Sequence, residues 1–336
     1  MPARPARFAP VFVWVPAVMS VRGLRSWSAA FAAIGGSGLV GVMPLVALQL
    51  YAEGLSAPSM LFWRYAIAIL ALGAAAKIAG LALSQAWREG AWRVVLVGAT
   101  LGAAQTLCFW ESIKTLETSV AVLLFYTYPA VTLALDRLFF KQPVRPLALL
   151  CIGAILLGAA LITGPGLHGG TLDPRGLAWA LPAPLIYALY LAINARMLRR
   201  YPALIGATGL FAGMAVTFGV MAAWLGLQSP TSSAGWALLL FIALGPGAVT
   251  MTLFTYSVPR LGASSFAILA NTELVVVVLI GVLLLGEAVT PWRLVGGALI
   301  VAGIVTHALS RQSTPTPEAG EATRASPAAP RIEPAG

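Results

Sequence analysis

FAILANTELVVVVLIGVLLLGE, residues 266–287, carries a carboxylate, Glu273, inside a run long and apolar enough to cross a bilayer. Burying an ionisable group at that depth costs on the order of 2–3 kcal/mol even on permissive insertion scales, so such groups face a cavity or a partner. Composition puts the whole chain in the same class. Of its 336 residues 59% are hydrophobic and 10% charged, against roughly 45–50% and about 25% in soluble domains. The expectation is an all-α integral membrane protein. Cys108 and Cys151 both fall in apolar runs, and His168 and His307 are far apart in sequence. A disulfide framework and a metal site are therefore not expected, and no motif implies a cofactor.

Apolar runs of about 20 residues recur near 27–50, 57–77, 92–111, 116–135, 146–164, 175–195, 203–226, 235–256, 262–285 and 291–309, which predicts ten spans joined by short loops. The preceding stretch FAPVFVWVPAVM has two prolines and no small-residue cleavage site, so residues 1–26 read as a cytoplasmic or interfacial lead. Residues 310–336 are rich in Pro, Ala, Ser and Glu without apolar periodicity and read as a disordered cytoplasmic tail.

Assigning the loops to alternate sides collects seventeen Lys and Arg on one side and only Lys114, Arg175 and Arg293 on the other, with Arg64 inside a span. Positively charged loops stay cytoplasmic, so both termini are expected inside a cell (inner) membrane. The net charge of +10 then serves as an anchor for anionic lipid, not for nucleic acid.

Shifting the chain by 145 residues lays 102–158 on 247–303 without a gap, with fifteen of 57 positions identical, among them Gly102/Gly247, Phe109/Phe254, Thr127/Thr272 and Pro146/Pro291. Spans three to five thus repeat as spans eight to ten. A repeat of five spans is odd, so its second copy, 166–309, must enter the membrane from the side opposite to the first, 27–165. Inverted repeats underlie alternating access, with the substrate near the midplane where the halves meet.

The doubled five-span plan resembles the drug/metabolite transporter superfamily in its ten-span EamA-type branch. The likeness covers roughly 27–309 and is carried by APSMLFWRYAIAIL with its Arg64, YTYPAVTLALDRLFFKQP and NTELVVVVLIGVLLLGEAVTP. The first copy has Lys141 and Gln142 where the second has Gly286 and Glu287, which argues against a symmetric role for Glu287. The resemblance implies export of small metabolites, with amino acids, neutral or aromatic, the preferred class. It also implies a cavity enclosed by spans one, three, four, six, eight and nine.

On those spans, helical spacing selects Tyr187, Tyr190 and Asn194 on one stripe of span six, Ser119 and Tyr126 on span four, and their repeat partners Ser264 and Asn271 on span nine. Gln105 and Trp110 on span three complete the candidate lining. Aromatic walls with a few hydrogen-bonding groups suit a small zwitterion. Gly245, Pro246 and Gly247 break span eight, where a hydrogen bond is lost and backbone groups are freed. Arg64 is expected to pair with a carboxylate or backbone carbonyl at a gate, snorkelling to headgroups being the alternative.

Asn271 and Glu273 point to nearly opposite faces of an ideal helix. The repeat therefore gives Asn271 the better claim to substrate. Glu273 then reads as a pin or gate partner served by the N–H groups freed around 245–247, with direct binding of a substrate amine or proton as the alternative. Neither paired intramembrane acids nor a nucleophile elbow or P-loop supports an enzyme. A lipophilic-cation exporter and a small-solute channel are the competing readings.

Overall fold

The computed structural model describes residues 21–116, 118–140, 146–163, 173–285 and 290–310. The expected lead and tail, apart from Val21–Ser26 and Ser310, and the loop residues Lys141, Gln142, His168, Gly286 and Glu287, lie outside the described residues. The secondary structure is helical throughout them. Helix α1 comprises Val21–Val40 and Met43–Ala52, α2 is Ala57–Ile78, α3 Leu83–Ser112, and α4 comprises Thr118–Phe125 and Tyr128–Phe140. Next come α5 (Pro146–Thr163), α6 (Pro174–Arg200), α7 (Ala203–Leu225), α8 (Ser233–Leu261), α9 (Ala263–Ala270 and Thr272–Leu285) and α10 (Pro291–Ser310). Seven, α1 to α4 and α6 to α8, are long and apolar enough to cross a membrane. The other three hold shorter apolar stretches, Pro146–Ile162, Ala263–Val276 and Leu294–Ser310. The third begins at Leu83 instead of near 92, because its first turns, which carry Arg88 and Glu89, are joined to the apolar part through Gly90 at a φ of 99°.

The breaks in these helices recur at the 145-residue interval. Helix α4 is interrupted at Tyr126–Thr127 and α9 at Asn271. Helix α3 widens to a π-type turn at Gly98–Gly102, and α8 does so at Leu244–Val249 around Pro246. A wide turn leaves backbone carbonyls without their helical partner, and apolar surroundings require another donor. In α8 the donor is Arg64 of α2, whose Nη2 lies 3.0 Å from the Pro246 carbonyl. In α3 it is Thr217 of α7, whose Oγ1 lies 2.8 Å from the Ala99 carbonyl.

The packing has the same symmetry. Helices α2 and α7 run antiparallel, since Phe62 lies against Gly219 whereas Tyr65 stacks on Phe218 and meets Phe211 at a tilt. Helices α5 and α10 are also antiparallel, with Gly158 at Gly296 and Cys151 at Gly303. So are α4 and α9, joined by Tyr128 to Ala267 and Asp136 to Ser264. Contacts of α1 with α8 and α9 are matched by contacts of α6 with α3 and α4.

Without a strong hydrophobic drive in lipid, association of these helices depends on close backbone approach at small residues. A Cβ on Gly213 would collide with the Val95 carbonyl, and one on Gly98 with the Leu210 carbonyl. Gly153 has no neighbour within 4 Å of such an atom. Gly213→Ala is therefore expected to destabilise the protein by at least about 1–3 kcal/mol, the usual cost of overpacking, while Gly153→Ala is neutral. Thermal unfolding in detergent, followed by monodispersity, checks the pair; equal stability of the two variants would refute the close α3–α7 contact.

Candidate functional site

The interruption of α4 gathers side chains that a straight helix would spread around its circumference. Phe125 and Tyr128, with Tyr126 against both, meet the α6 rings: Phe125 and Tyr187 stack at 5.4 Å between centroids, Tyr128 and Tyr187 meet edge-on at 4.8 Å, and Tyr187 stacks on Tyr190 at 6.0 Å. The aromatic wall continues through Phe109 to Trp110 of α3 and ends at Tyr51 of α1, 5.7 Å from Trp110. Tyr128 is anchored by its hydroxyl, which donates to the Ala267 carbonyl at 3.1 Å. Thr127 and Thr272 bond the carbonyls of Leu124 and Leu269 on their own helices.

Glu273 enters this aromatic group from α9. The break at Asn271 puts it in the first turn of Thr272–Leu285, where the positive end of the helix dipole favours a carboxylate. Its carboxyl lies beside Tyr126 and within electrostatic reach of Tyr128 and Tyr187. The side chain is partly buried and keeps some exposure.

This geometry bears on two of the expected roles. The break around Gly245, Pro246 and Gly247 is met at the Pro246 carbonyl by Arg64. Proline frees a carbonyl more than it offers donors, and a guanidinium is the matching group. Asn271 is fully buried, and its Nδ2 donates to the Ala267 carbonyl at 2.7 Å. Its amide N–H group bonds back across the kink in its own helix while its Oδ1 is buried without a partner, and Glu273 in the next turn lies by Tyr126 and Tyr128.

The remaining predicted residues divide between the site and its supports. Asn194, 2% exposed, lies beside Tyr190 with neither amide atom in a well-formed hydrogen bond. Gln105 turns back to Gly102 and Thr106 at the wide turn of α3. Ser264 gives its hydroxyl and its N–H to Asp136 of α4. The Ser119 side chain lies outside those described. Arg64 is 9% exposed and 5.3 Å from the Tyr65 ring centroid, a buried bond donor instead of a snorkelling one.

Two acids were not singled out by sequence reasoning. Asp136, 6% exposed, accepts from Ser264, and Glu53 accepts from the Ser232 hydroxyl and N–H. The Ser232 hydroxyl holds the Glu53 carboxyl below its ordinary range, so Glu53 is a charged acceptor at neutral pH. The signal available in the sequence was a lone acid at the end of an apolar run, once after span one and once in span four. Among the described residues no cluster of His, Cys, Asp and Glu could hold a metal ion.

Comparison with known proteins agrees with the doubled architecture. The model of the EamA-like transporter family matches residues 27–164 and again 174–308. The threonine/homoserine exporter RhtA of Escherichia coli K12 is 27% identical over 304 residues, covering 87% of this chain and 91% of RhtA. A probable terminal-alkyne amino-acid exporter of Streptantibioticus cattleyicolor is 27% identical over 217 residues, 63% of this chain and 71% of that protein. A solved crystal structure aligns with a TM-score of 0.74 at 17% identity over 86% of this chain and 99% of its own, a likeness of fold. With two matches that together span most of its length, the chain is a multi-pass membrane protein that belongs to the EamA-like transporter family.

Proposed function

We propose that the protein exports neutral amino acids by alternating access across the cell (inner) membrane, through ten spans arranged as two inverted five-helix repeats, 27–165 and 166–309. The observation that carries the substrate class is the Glu273 carboxylate at a helix N-terminus among the hydroxyls and rings of Tyr126, Tyr128 and Tyr187. An ammonium group entering that space meets a charge partner and the faces of aromatic rings, which attract cations. The rings of Phe125, Phe109 and Trp110 lie alongside to take an apolar side chain. Asn194 offers unsatisfied amide groups on the α6 side of the same wall. Amino-acid export by proteins similar to this one, RhtA and the probable alkyne amino-acid exporter, supports the reading.

The antiparallel packing of α2 on α7, α4 on α9 and α5 on α10 supports the inverted repeat, because helices related by it must run in opposite directions. Charge supports the orientation: Arg196, Arg199, Arg200 and Arg260 lie together at one end of the helices. The midspan bonds from Arg64 and Thr217 to the opened turns of α8 and α3 hold each bent helix against a partner in the other half. Bent helices braced in this way can rock about the site without exposing unpaired backbone to lipid. One carboxylate in an aromatic box also fits a lipophilic monocation, and the substrate panel below separates the two.

In proteoliposomes, uptake of labelled phenylalanine, leucine or threonine driven by counterflow should exceed that of cationic dyes. Glu273→Gln should reduce it at least about tenfold, the effect of losing roughly 1.4 kcal/mol of ammonium binding. Dye transport without amino-acid transport would favour the cation reading, and full activity of Glu273→Gln would exclude the carboxylate as the binding group. For orientation, single cysteines at Thr231 should label from outside intact cells, whereas those at Arg200 or in the 310–336 tail should not. External labelling of the tail would overturn both the span count and the inverted repeat.

A further inference from the structure

The aromatic site lies between two carboxylate–serine pairs at opposite ends of the helices. Glu53 follows the last turn of α1, and Asp136 lies near the C-terminal end of α4. Successive helices alternate in direction, so these positions fall on opposite sides. Each carboxylate accepts both the N–H and the hydroxyl of a serine at the start of a helix in the other half: Ser232, which caps α8, and Ser264, in the first turn of α9. The four helices joined in this way, α1, α4, α8 and α9, are among those expected to enclose the cavity.

We propose that the two pairs are the gates of the transport cycle, Asp136–Ser264 closing the basic end and Glu53–Ser232 the opposite one, and that either opens while the other stays shut. This rests on the carrier reading above, but the test below follows helix separation and not transport. Both pairs are strong and also reversible for the same physical reason. A carboxylate that accepts two donors at a helix N-terminus gains charge-assisted bonds and the helix dipole. Water at the end of the protein can serve the same donors and the same oxygens when the pair parts. The midspan bonds to Pro246 and Ala99 have no such substitute and hold the bent helices through both states.

Each end also carries further contacts that would part with its gate. On the Glu53 side the Ser56 N–H donates to Gln228 Oε1 at 2.5 Å, Trp63 Nε1 donates to the Gln228 carbonyl at 2.9 Å, and Trp63 meets Trp236 edge-on at 5.3 Å. On the Asp136 side the Tyr201 hydroxyl donates to the Glu89 carbonyl at 3.2 Å, joining the end of α6 to the start of α3. Arg196 of α6 lies within electrostatic reach of Asp136. The α1–α8 contact at one end thus has its counterpart in the α6–α3 contact at the other. Both gates are closed together in this structure. Asp136 and Glu53 act here as positioning residues.

The test is pulsed electron-spin distance measurement on the full-length protein in nanodiscs, in a background with Cys108 and Cys151 replaced by Ala. Spin labels at Leu138→Cys and Arg260→Cys report the Asp136 end, and labels at Ala52→Cys and Ala234→Cys report the other. Ser264→Ala and Asp136→Asn should each raise the open-to-closed ratio at the Asp136 end by about tenfold, as expected for loss of a charged hydrogen bond, and leave the Ala52–Ala234 distances unchanged or narrowed. Ser232→Ala and Glu53→Gln should do the reverse. Ser264→Thr, which keeps the hydroxyl, should restore the original distribution and so separate gate loss from misfolding. If the variants move neither distance, or loosen both ends alike, the pairs are ordinary helix caps and the proposal fails.

Discussion

A carboxylate held inside an apolar span needs a partner, and the breaks in α9 and α4 bring Glu273 to the tyrosines beside it. The interruption of α9 at Asn271 supplies a helix N-terminus, and the matching interruption of α4 at Tyr126–Thr127 turns Tyr126 and Tyr128 toward it. Neither break could persist in hydrocarbon unless its freed backbone groups were served. Asn271 serves the first by bonding Ala267, and Thr127 caps its own turn through Leu124. The kinks are therefore what positions the site.

The same constraint explains the next layer. The wide turns of α3 and α8 free carbonyls at Ala99 and Pro246, and each is met by a side chain from the antiparallel pair α2 and α7. The backbones of α3 and α7 touch at Gly98 and Gly213, whereas α2 reaches the α8 turn through the longer Arg64. One half uses small residues where the other uses a cation, so two halves related by a common plan have diverged in chemistry while keeping the same mechanical link.

Much of this was legible in the sequence because it depends on long-range regularity. Apolar run length predicts the helices, a 145-residue interval predicts which breaks correspond, and the Tyr187–Tyr190–Asn194 stripe follows from helical spacing alone. What ideal spacing misassigns is the face of residues at a break. Asn271 and Glu273 are about 200° apart on a straight helix, but that rule does not say which of the two faces the cavity, and the repeat partner of Tyr126 is the residue whose amide bonds back across the kink. The pairs made by Asp136 and Glu53 were hidden for another reason. Each joins residues 128 or 179 positions apart, and a single acid beside a span carries no mark of the serine it will meet.

The central claim is that Glu273 recognises the substrate's ammonium, and binding of a matched ligand series tests it most directly. Calorimetric titration would compare phenylalanine with 3-phenylpropanoate, which lacks the amine, on the unaltered protein and on Glu273→Gln. The predicted result is a strong preference for phenylalanine that collapses to near equality in the variant, giving a coupling energy on the order of 1–3 kcal/mol between amine and carboxylate. An unchanged preference in Glu273→Gln would show that the ammonium is bound elsewhere and would contradict the assignment.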